Sequence, residues 1–275
     1  MAFLLEALDK RERTLYIVIR TLLVPQDVRI RRAPVYRWKW SKDRKMDVSG
    51  LQKLTLLDYP GRVACTIFTG GDLRCPFCHN ASLALPERER DVITHDELMA
   101  FLKKRVGILD GVAVTGGEPL LHADIEGLLA DIKALGYSIK LDTNGTFPAR
   151  LRSIVEAGLV DRVAMDIKAA PENYARVTGV PGLDLGPVRE SAGYLMSCGV
   201  DYEFRTTAVK GLHVPEDFEA IGRWIAGAKE YYIQCFKDSG DLIAAQGLSA
   251  FSEDEMHALA DIVRPYVPAV QLRGI

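Results

Sequence analysis

From Arg62 onward the chain runs repeatedly through one cycle: a short β-branched stretch, a turn of small or polar residues, then a segment of helical period with its own start signal. Each cycle reads as one βα unit. The spacing predicts strands at Val63–Thr69, Val112–Thr115, Ser138–Asp142, Val163–Asp166, Tyr202–Ala208 and Tyr231–Phe236, with a last one at Ala269–Arg273. It predicts helices at His95–Lys104, Ile125–Leu135, Ala149–Ala157, Pro187–Met196, Pro215–Ala226 and Glu253–Val263, the first opened by Thr94 with Glu97 in a capping-box pattern. Near-continuous apolar strands suit a parallel sheet covered on both faces. Six such units with right-handed crossovers form either an open doubly wound sheet or a curved partial barrel, and periodicity alone does not choose.

Residues 1–45 stand outside this cycle. They hold 12 of the 35 Lys+Arg and only 5 of the 37 Asp+Glu, so a basic leader precedes an acidic body, Met46 to Ile275. The leader reads as appended, with Met46 expected as the native start and a docking arm as the alternative. No aromatic platform or heptad accompanies the basic residues, and the acidic body disfavours polyanions, so neither nucleic acid nor a membrane is the expected partner. The apolar run from Leu15 to Val24 contains Arg20 and is too short to span a bilayer. An odd count of five cysteines, two of them in Cys75-Pro76-Phe77-Cys78, points to a reduced, cytoplasmic protein with thiolates as ligands or redox groups.

The chemistry-bearing motifs fall at the ends of the predicted strands. Cys75 and Cys78 follow the first strand and the Gly70-Gly71 pair, in a loop at the C-terminal end of a strand, where α/β barrels place their sites. A lone CxxC fits half a zinc site or a redox pair as well as an iron–sulfur loop, although no second pair follows and Pro76 suits the last. Thr115-Gly116-Gly117-Glu118-Pro119 ends the second strand, its glycines opening backbone groups to a ligand and Glu118 offering a carboxylate to a cationic amine. Asp142-Thr143-Asn144-Gly145 ends the third, where Asn-Gly is by itself a turn signal. Each motif alone is more simply a turn. Recurrence at successive strand ends, through Asp166 with Lys168 to Arg205, predicts one polar ring facing one cavity.

Together these segments resemble a known family. Gly50-Leu51-Gln52-Lys53, Leu57-Asp58-Tyr59-Pro60-Gly61, Ile67-Phe68-Thr69-Gly70-Gly71 and Arg74-Cys75-Pro76-Phe77-Cys78-His79-Asn80 are similar to the opening of the activating proteins of anaerobic ribonucleoside-triphosphate reductase. Those proteins belong to the radical S-adenosylmethionine (SAM) superfamily. The likeness continues through Thr115–Pro119, Asp142–Gly145, Asp166-Ile167-Lys168 and Phe204-Arg205-Thr206-Thr207.

The resemblance implies a partial (β/α)6 TIM-type barrel carrying a [4Fe–4S] cluster with one iron open to SAM. It implies Cys75 and Cys78 as two metal ligands, Phe77 beside the adenine, and Gly116, Gly117 and Glu118 around the methionyl amine. Asp142, Thr143 and Asn144 would lie near the ribose and carboxylate, and Arg205 would neutralise the carboxylate or bridge to the ribose. Asp142, Thr143 and Asp166, with the neighbouring Lys168, mark a weaker expectation of a monovalent cation. The implied reaction is reductive cleavage of SAM to a 5′-deoxyadenosyl radical that installs a glycyl radical on the reductase, with a flavodoxin or ferredoxin-type electron donor. Two alternatives stay open: a radical SAM enzyme acting on a small molecule, and a cluster-deficient pseudoenzyme.

The second alternative arises from one departure. The family's loop carries a cysteine four residues before the position of Cys75, where this chain has Gly71, and the sequence reads one residue short between Gly71 and Asp72. A genuine deletion, an uncounted selenocysteine and a distant thiol are the three readings, with selenocysteine preferred. Cys65, the nearest spare thiol, is expected in the core, and Cys198 and Cys235 have no ligand context.

Overall fold

A computed structural model describes residues 45–71, 73–78, 92–238, 240 and 242–275. The leader expected at 1–45, apart from residue 45, lies outside the described residues, as do Asp72, His79, Asn80 and most of the segment from Ala81 to Thr94. Eight strands form a single sheet in chain order: β1 (Gly50–Thr55), β2 (Ala64–Thr69), β3 (Gly111–Gly116), β4 (Ser138–Thr143), β5 (Arg162–Asp166), β6 (Asp201–Ala208), β7 (Tyr231–Cys235) and β8 (Val270–Arg273). Strands β2 to β8 are parallel to their neighbours, and β1 pairs antiparallel with β2.

The helices between parallel strands are α1 (His95–Lys103), α2 (Ile125–Ala134), α3 (Pro148–Glu156), the short α4 (Tyr174–Thr178), α5 (Gly186–Ser197), α6 (Pro215–Trp224) and α7 (Glu253–Val263). Six βα units and a closing strand therefore build the partial barrel. Local chemistry sets the helix starts. Thr94 accepts from the Glu97 amide while Glu97 accepts from the Thr94 amide, and Pro148 and Pro215 occupy first-turn positions where no amide hydrogen is needed.

Alternation along the strands separates two faces. Cys65, Ile67, Val112, Val114, Ile139, Leu141, Val163 and Met165 join Leu98, Leu102, Leu128, Leu129, Leu151 and Ile154 of the helices in one core. On the opposite face of β4, β5 and β6 stand Lys140 and Asp142, Arg162 and Asp166, and Glu203 and Arg205, which bond to one another across the strands. Both faces are buried, as expected, in β3, where Val112, Ala113 and Val114 are covered, and largely in β4 to β6, but there the second face is charged: Lys140, Asp142, Arg162 and Glu203 are each at most 8% exposed. Closed barrels fill their interior with branched aliphatic layers. This open one lines it with charge, which suits a polar ligand.

Candidate functional site

The C-terminal ends of β2 and β3 meet through bare backbone. The amides of Gly117 and Glu118 donate to the carbonyls of Thr69 and Gly70, both at 2.9 Å. A Cβ on Gly117 would fall 2.0 Å from the Gly71 Cα, one on Gly71 would fall 2.4 Å from the Gly117 Cα, and Gly116 sits at φ +122° with its missing Cβ 2.2 Å from the Thr69 carbonyl oxygen. The expected reason for these glycines was ligand approach. The structure instead fills the space with the neighbouring strand's backbone, so the glycines first serve to bring two loops together.

Beyond this junction the chain turns into Cys75-Pro76-Phe77-Cys78, held from three directions. The Cys78 amide donates to the Cys75 carbonyl at 3.0 Å, closing the turn. The Arg74 amide donates to the Thr178 carbonyl at 3.0 Å, and the Ala244 amide donates to the Pro76 carbonyl at 2.9 Å. The loop is thus clamped by the end of α4 and by the segment after β7. Cys75 is 6% exposed, and burial pushes its thiol up to about 11 despite the positive charge of Lys168 nearby. Such a thiol keeps its proton until a metal displaces it. Phe77 is buried in the same core, Cys78 is half-buried, and Cys65 lies fully buried in β2 with its thiol pushed up to about 12 by burial.

Facing the loop is a chain of ion pairs. Lys140 Nζ donates to Asp142 Oδ1 at 2.5 Å, and Arg205 Nη1 stands 3.0 Å from Asp142 Oδ2. Arg205 Nε donates to Asp166 Oδ1 at 2.5 Å, and Lys168 Nζ donates to Asp166 Oδ2 at 2.7 Å. Burial would raise the Asp166 carboxyl, but Arg205 and Lys168 outweigh it and hold the group well below the usual carboxylate range. Lys168 is correspondingly held protonated, burial being outweighed by the negative charge of Asp166.

The expected ring is therefore two sets. Asp142, Asp166, Lys168 and Arg205 come together, whereas Glu118, 0% exposed, turns toward the loop after β4. Its carboxylate accepts from the Leu120 amide at 2.9 Å, the Thr143 hydroxyl at 3.0 Å and the Asn144 amide at 2.6 Å. Thr143 and Asn144 accordingly belong with Glu118. Asn144 also accepts from the Thr146 amide and hydroxyl.

Sequence reasoning missed two supports. His213, buried after β6, accepts from the Val209 amide at 3.1 Å through Nδ1 and donates to the Lys168 carbonyl at 2.9 Å through Nε2, and burial lowers its pKa. The Tyr174 hydroxyl accepts from the Lys168 amide at 3.2 Å. Both fix the loop that carries Lys168, and nothing local in the sequence marks either, because each acts on a backbone group across the fold.

Two thiols in one loop, bare glycine backbone and a chain of buried ion pairs thus gather at the C-terminal end of a partial barrel. The family model for the radical SAM superfamily matches residues 65–225, more than half of the chain, and the chain belongs to that superfamily. Its members use a [4Fe–4S] cluster and SAM. The chain is 30% identical over 237 residues to a Methanocaldococcus jannaschii protein that carries the provisional name glycyl-radical enzyme activating enzyme, covering 83% of this chain and 96% of that protein.

A Thermococcus kodakarensis protein provisionally named GTP 3′,8-cyclase is 31% identical over 152 residues, 54% of this chain and 48% of its own length. Among solved structures, Streptococcus suis SuiB bound to SAM superposes with a TM-score of 0.60 at 14% identity over 75% of this chain and 49% of SuiB. The chain thus spans about half the length of the cyclase and of SuiB. A domain of the pyruvate-formate lyase-activating enzyme of Bacteroides vulgatus superposes at 0.50 with 16% identity, covering 60% of this chain and 99% of that domain. These structural likenesses speak to the fold. Among the described residues no helix is long and apolar enough to cross a membrane.

Proposed function

We propose that this radical SAM enzyme activates a glycyl-radical enzyme, anaerobic ribonucleoside-triphosphate reductase, with a flavodoxin or ferredoxin-type protein as electron donor. The observation that carries the reading is the match to the M. jannaschii protein over 96% of that protein's length, against a match over about half the length of an enzyme named for a small nucleotide. An open barrel side with a polar interior supports it, since a polypeptide loop must reach the ligand's reactive carbon.

The donors present fit two corners of the cluster. Cys75 and Cys78 would hold them, and among the described residues no group of three or more His, Cys, Asp or Glu side chains is placed to hold a metal. When bound, the cluster supplies the electron that divides SAM into methionine and a 5′-deoxyadenosyl radical. The chain's own tasks are positional. The carbonyls of Gly116 and Gly117 are acceptors suited to the methionyl ammonium, with Glu118 keeping their loop in place. Asp142, Thr143 and Asn144 shape the ribose side, Arg205 and Lys168 present positive charge to the carboxylate, and Phe77 supplies an apolar wall toward the adenine.

For the third cluster ligand we place a residue encoded between Gly71 and Asp72, selenocysteine by preference. The supporting geometry is the Gly71–Gly117 contact. A ligand at position 71 itself would drive a Cβ to 2.4 Å from the Gly117 Cα, backbone that has no side-chain freedom to yield.

Anaerobic reconstitution with iron and sulfide tests both statements. A chain with cysteine inserted after Gly71 is expected to hold about four irons and to cleave SAM, while Gly71→Cys is expected to do neither. A Gly71–Asp72 codon pair with nothing between would overturn the insertion. A glycyl-radical EPR signal on co-incubated reductase is the expected sign of the substrate. SAM cleavage without that signal, but with turnover of a small molecule, would overturn the activase reading.

A further inference from the structure

Lys140 and Asp142 stand two residues apart on the same side of β4, the side facing away from the helices. Lys140 is 2% exposed, and its ammonium has no route to solvent that would let it remain unpaired. It bonds to one oxygen of Asp142 at 2.5 Å while Arg205 takes the other at 3.0 Å. Arg205 and Lys168 then occupy the two oxygens of Asp166, at 2.5 and 2.7 Å. Each of the four carboxylate oxygens of this pair thus has a nitrogen cation of the chain against it.

The consequence is chemical. Two neighbouring carboxylates beside an anionic ligand group repel unless a proton or a cation comes between them, and a hard cation would take oxygen ligands from both. Here the oxygen positions are already filled by the chain's own cations, Lys140, Arg205 and Lys168. Glu203, the next acidic group, is held by Arg162 at 2.8 Å and by Arg273 at 2.8 and 3.0 Å, and Arg162 also pairs with Asp201 and Glu230, so the acids along this face are matched by side-chain cations without an added ion.

We propose that Lys140 is a built-in counter-ion that takes the place of a monovalent metal ion, so that SAM binds this site equally well without potassium or sodium. The inference rests on the assignment of the β4–β6 strand ends to SAM. It sets aside the cation expected at Asp142, Thr143 and Asp166. Lys140 is a positioning residue, acting on the ligand through Asp142 and Arg205.

The test compares SAM affinity of the reconstituted full chain in potassium chloride and in choline chloride at equal ionic strength. The wild type is expected to differ by less than about twofold between the salts. Lys140→Met is expected to bind about tenfold more weakly in choline, with potassium restoring most of the loss. Thallium NMR, with thallous ion standing in for potassium, is expected to show specific binding to the variant and not to the wild type. A wild-type affinity that drops about tenfold in choline overturns the proposal, as does a variant unaffected, or weakened equally, in both salts. Should the variant not fold, the wild-type comparison decides. Should the wild type bind no SAM in either salt, the ligand assignment fails, and thallium then decides the counter-ion by itself, since its specific binding to the wild type would overturn that.

Discussion

Where β2 meets β3 the rim of the sheet is backbone packed on backbone, whereas from β4 to β6 it is a chain of ion pairs. In the first region Gly71, Gly116 and Gly117 approach so closely that no side chain fits. In the second, the side chains of Lys140, Asp142, Arg205, Asp166 and Lys168 are joined to one another by charge. The first region is stiff because nothing can be inserted, and it should be indifferent to pH. The second answers to the loss of a single partner, because its charges are mostly removed from water. In the proposed function the ammonium of SAM meets the first region and its carboxylate the second.

The sharpest way to break the comparison is to remove the centre of the ionic half. Arg205→Met leaves Asp142 and Asp166 short of the guanidinium they share, and the expected cost is about 4 kcal/mol in chemical denaturation. A loss below about 1 kcal/mol would mean that Lys140 and Lys168 suffice and that the network is not a unit.

In the glycine half, Gly117→Ala forces a Cβ against the Gly71 backbone, and about 3 kcal/mol is the expected loss. That loss should be the same at every pH. The wild type itself should weaken in acid. At the N-terminal ends of β5 and β6, burial would raise the Glu203 carboxyl, but Arg273 and Arg162 bring it down to about 2 from an ordinary value of 4.5. A depressed carboxylate stabilises fully above its unfolded value and ceases to do so as pH falls through its folded one. Stability is therefore expected to decline from pH 4.5 toward 2, and Glu203→Gln, already weakened at neutral pH, should show a shallower decline. Equal acid slopes in the two proteins would remove Glu203 from the account.

How much of this was visible beforehand differs between the regions too. The βα cycle located its elements closely: Glu253–Val263 is the same helix by pattern and in the structure, and Val163–Asp166 gains only Arg162. Strand β1 escaped because it runs antiparallel before the cycle starts, with Gln52, Lys53 and Leu54 exposed and little burial to pattern it. The ionic half was legible as Asp142, Asp166, Lys168 and Arg205, since charges at successive parallel strand ends must converge. Lys140 was not, because a lysine inside an apolar strand gives no sign of which side it faces until the register is known. Gly116 and Gly117 are legible as positions without a Cβ, but their close packing on Thr69 and Gly71 is not, since a sequence does not show what fills the space. Glu118 likewise reads as a ligand carboxylate, and its bonds to Leu120, Thr143 and Asn144 emerge only when the two strand ends are set side by side.

The smallest expected effect tests whether backbone exclusion extends from the β2–β3 junction to the cysteine loop itself. Gly179 and Gly158 both adopt φ +67°, so alanine strains the backbone equally at each, by about 1 kcal/mol. Their surroundings differ. A Cβ at Gly158 meets nothing within 4 Å, whereas one at Gly179 would lie 2.3 Å from the Arg74 carbonyl oxygen, next to Cys75. Subtracting the effect of Gly158→Ala from that of Gly179→Ala therefore cancels the strain and leaves the contact. The remainder is expected to be about 1 kcal/mol in stability, with a loss of reconstituted iron in Gly179→Ala alone. Equal stability losses and equal iron contents would show that the end of α4 merely passes beside the loop. In that case the Ala244 and Cys78 amides would be left as its restraints, and the glycine-built region would stop at Gly71.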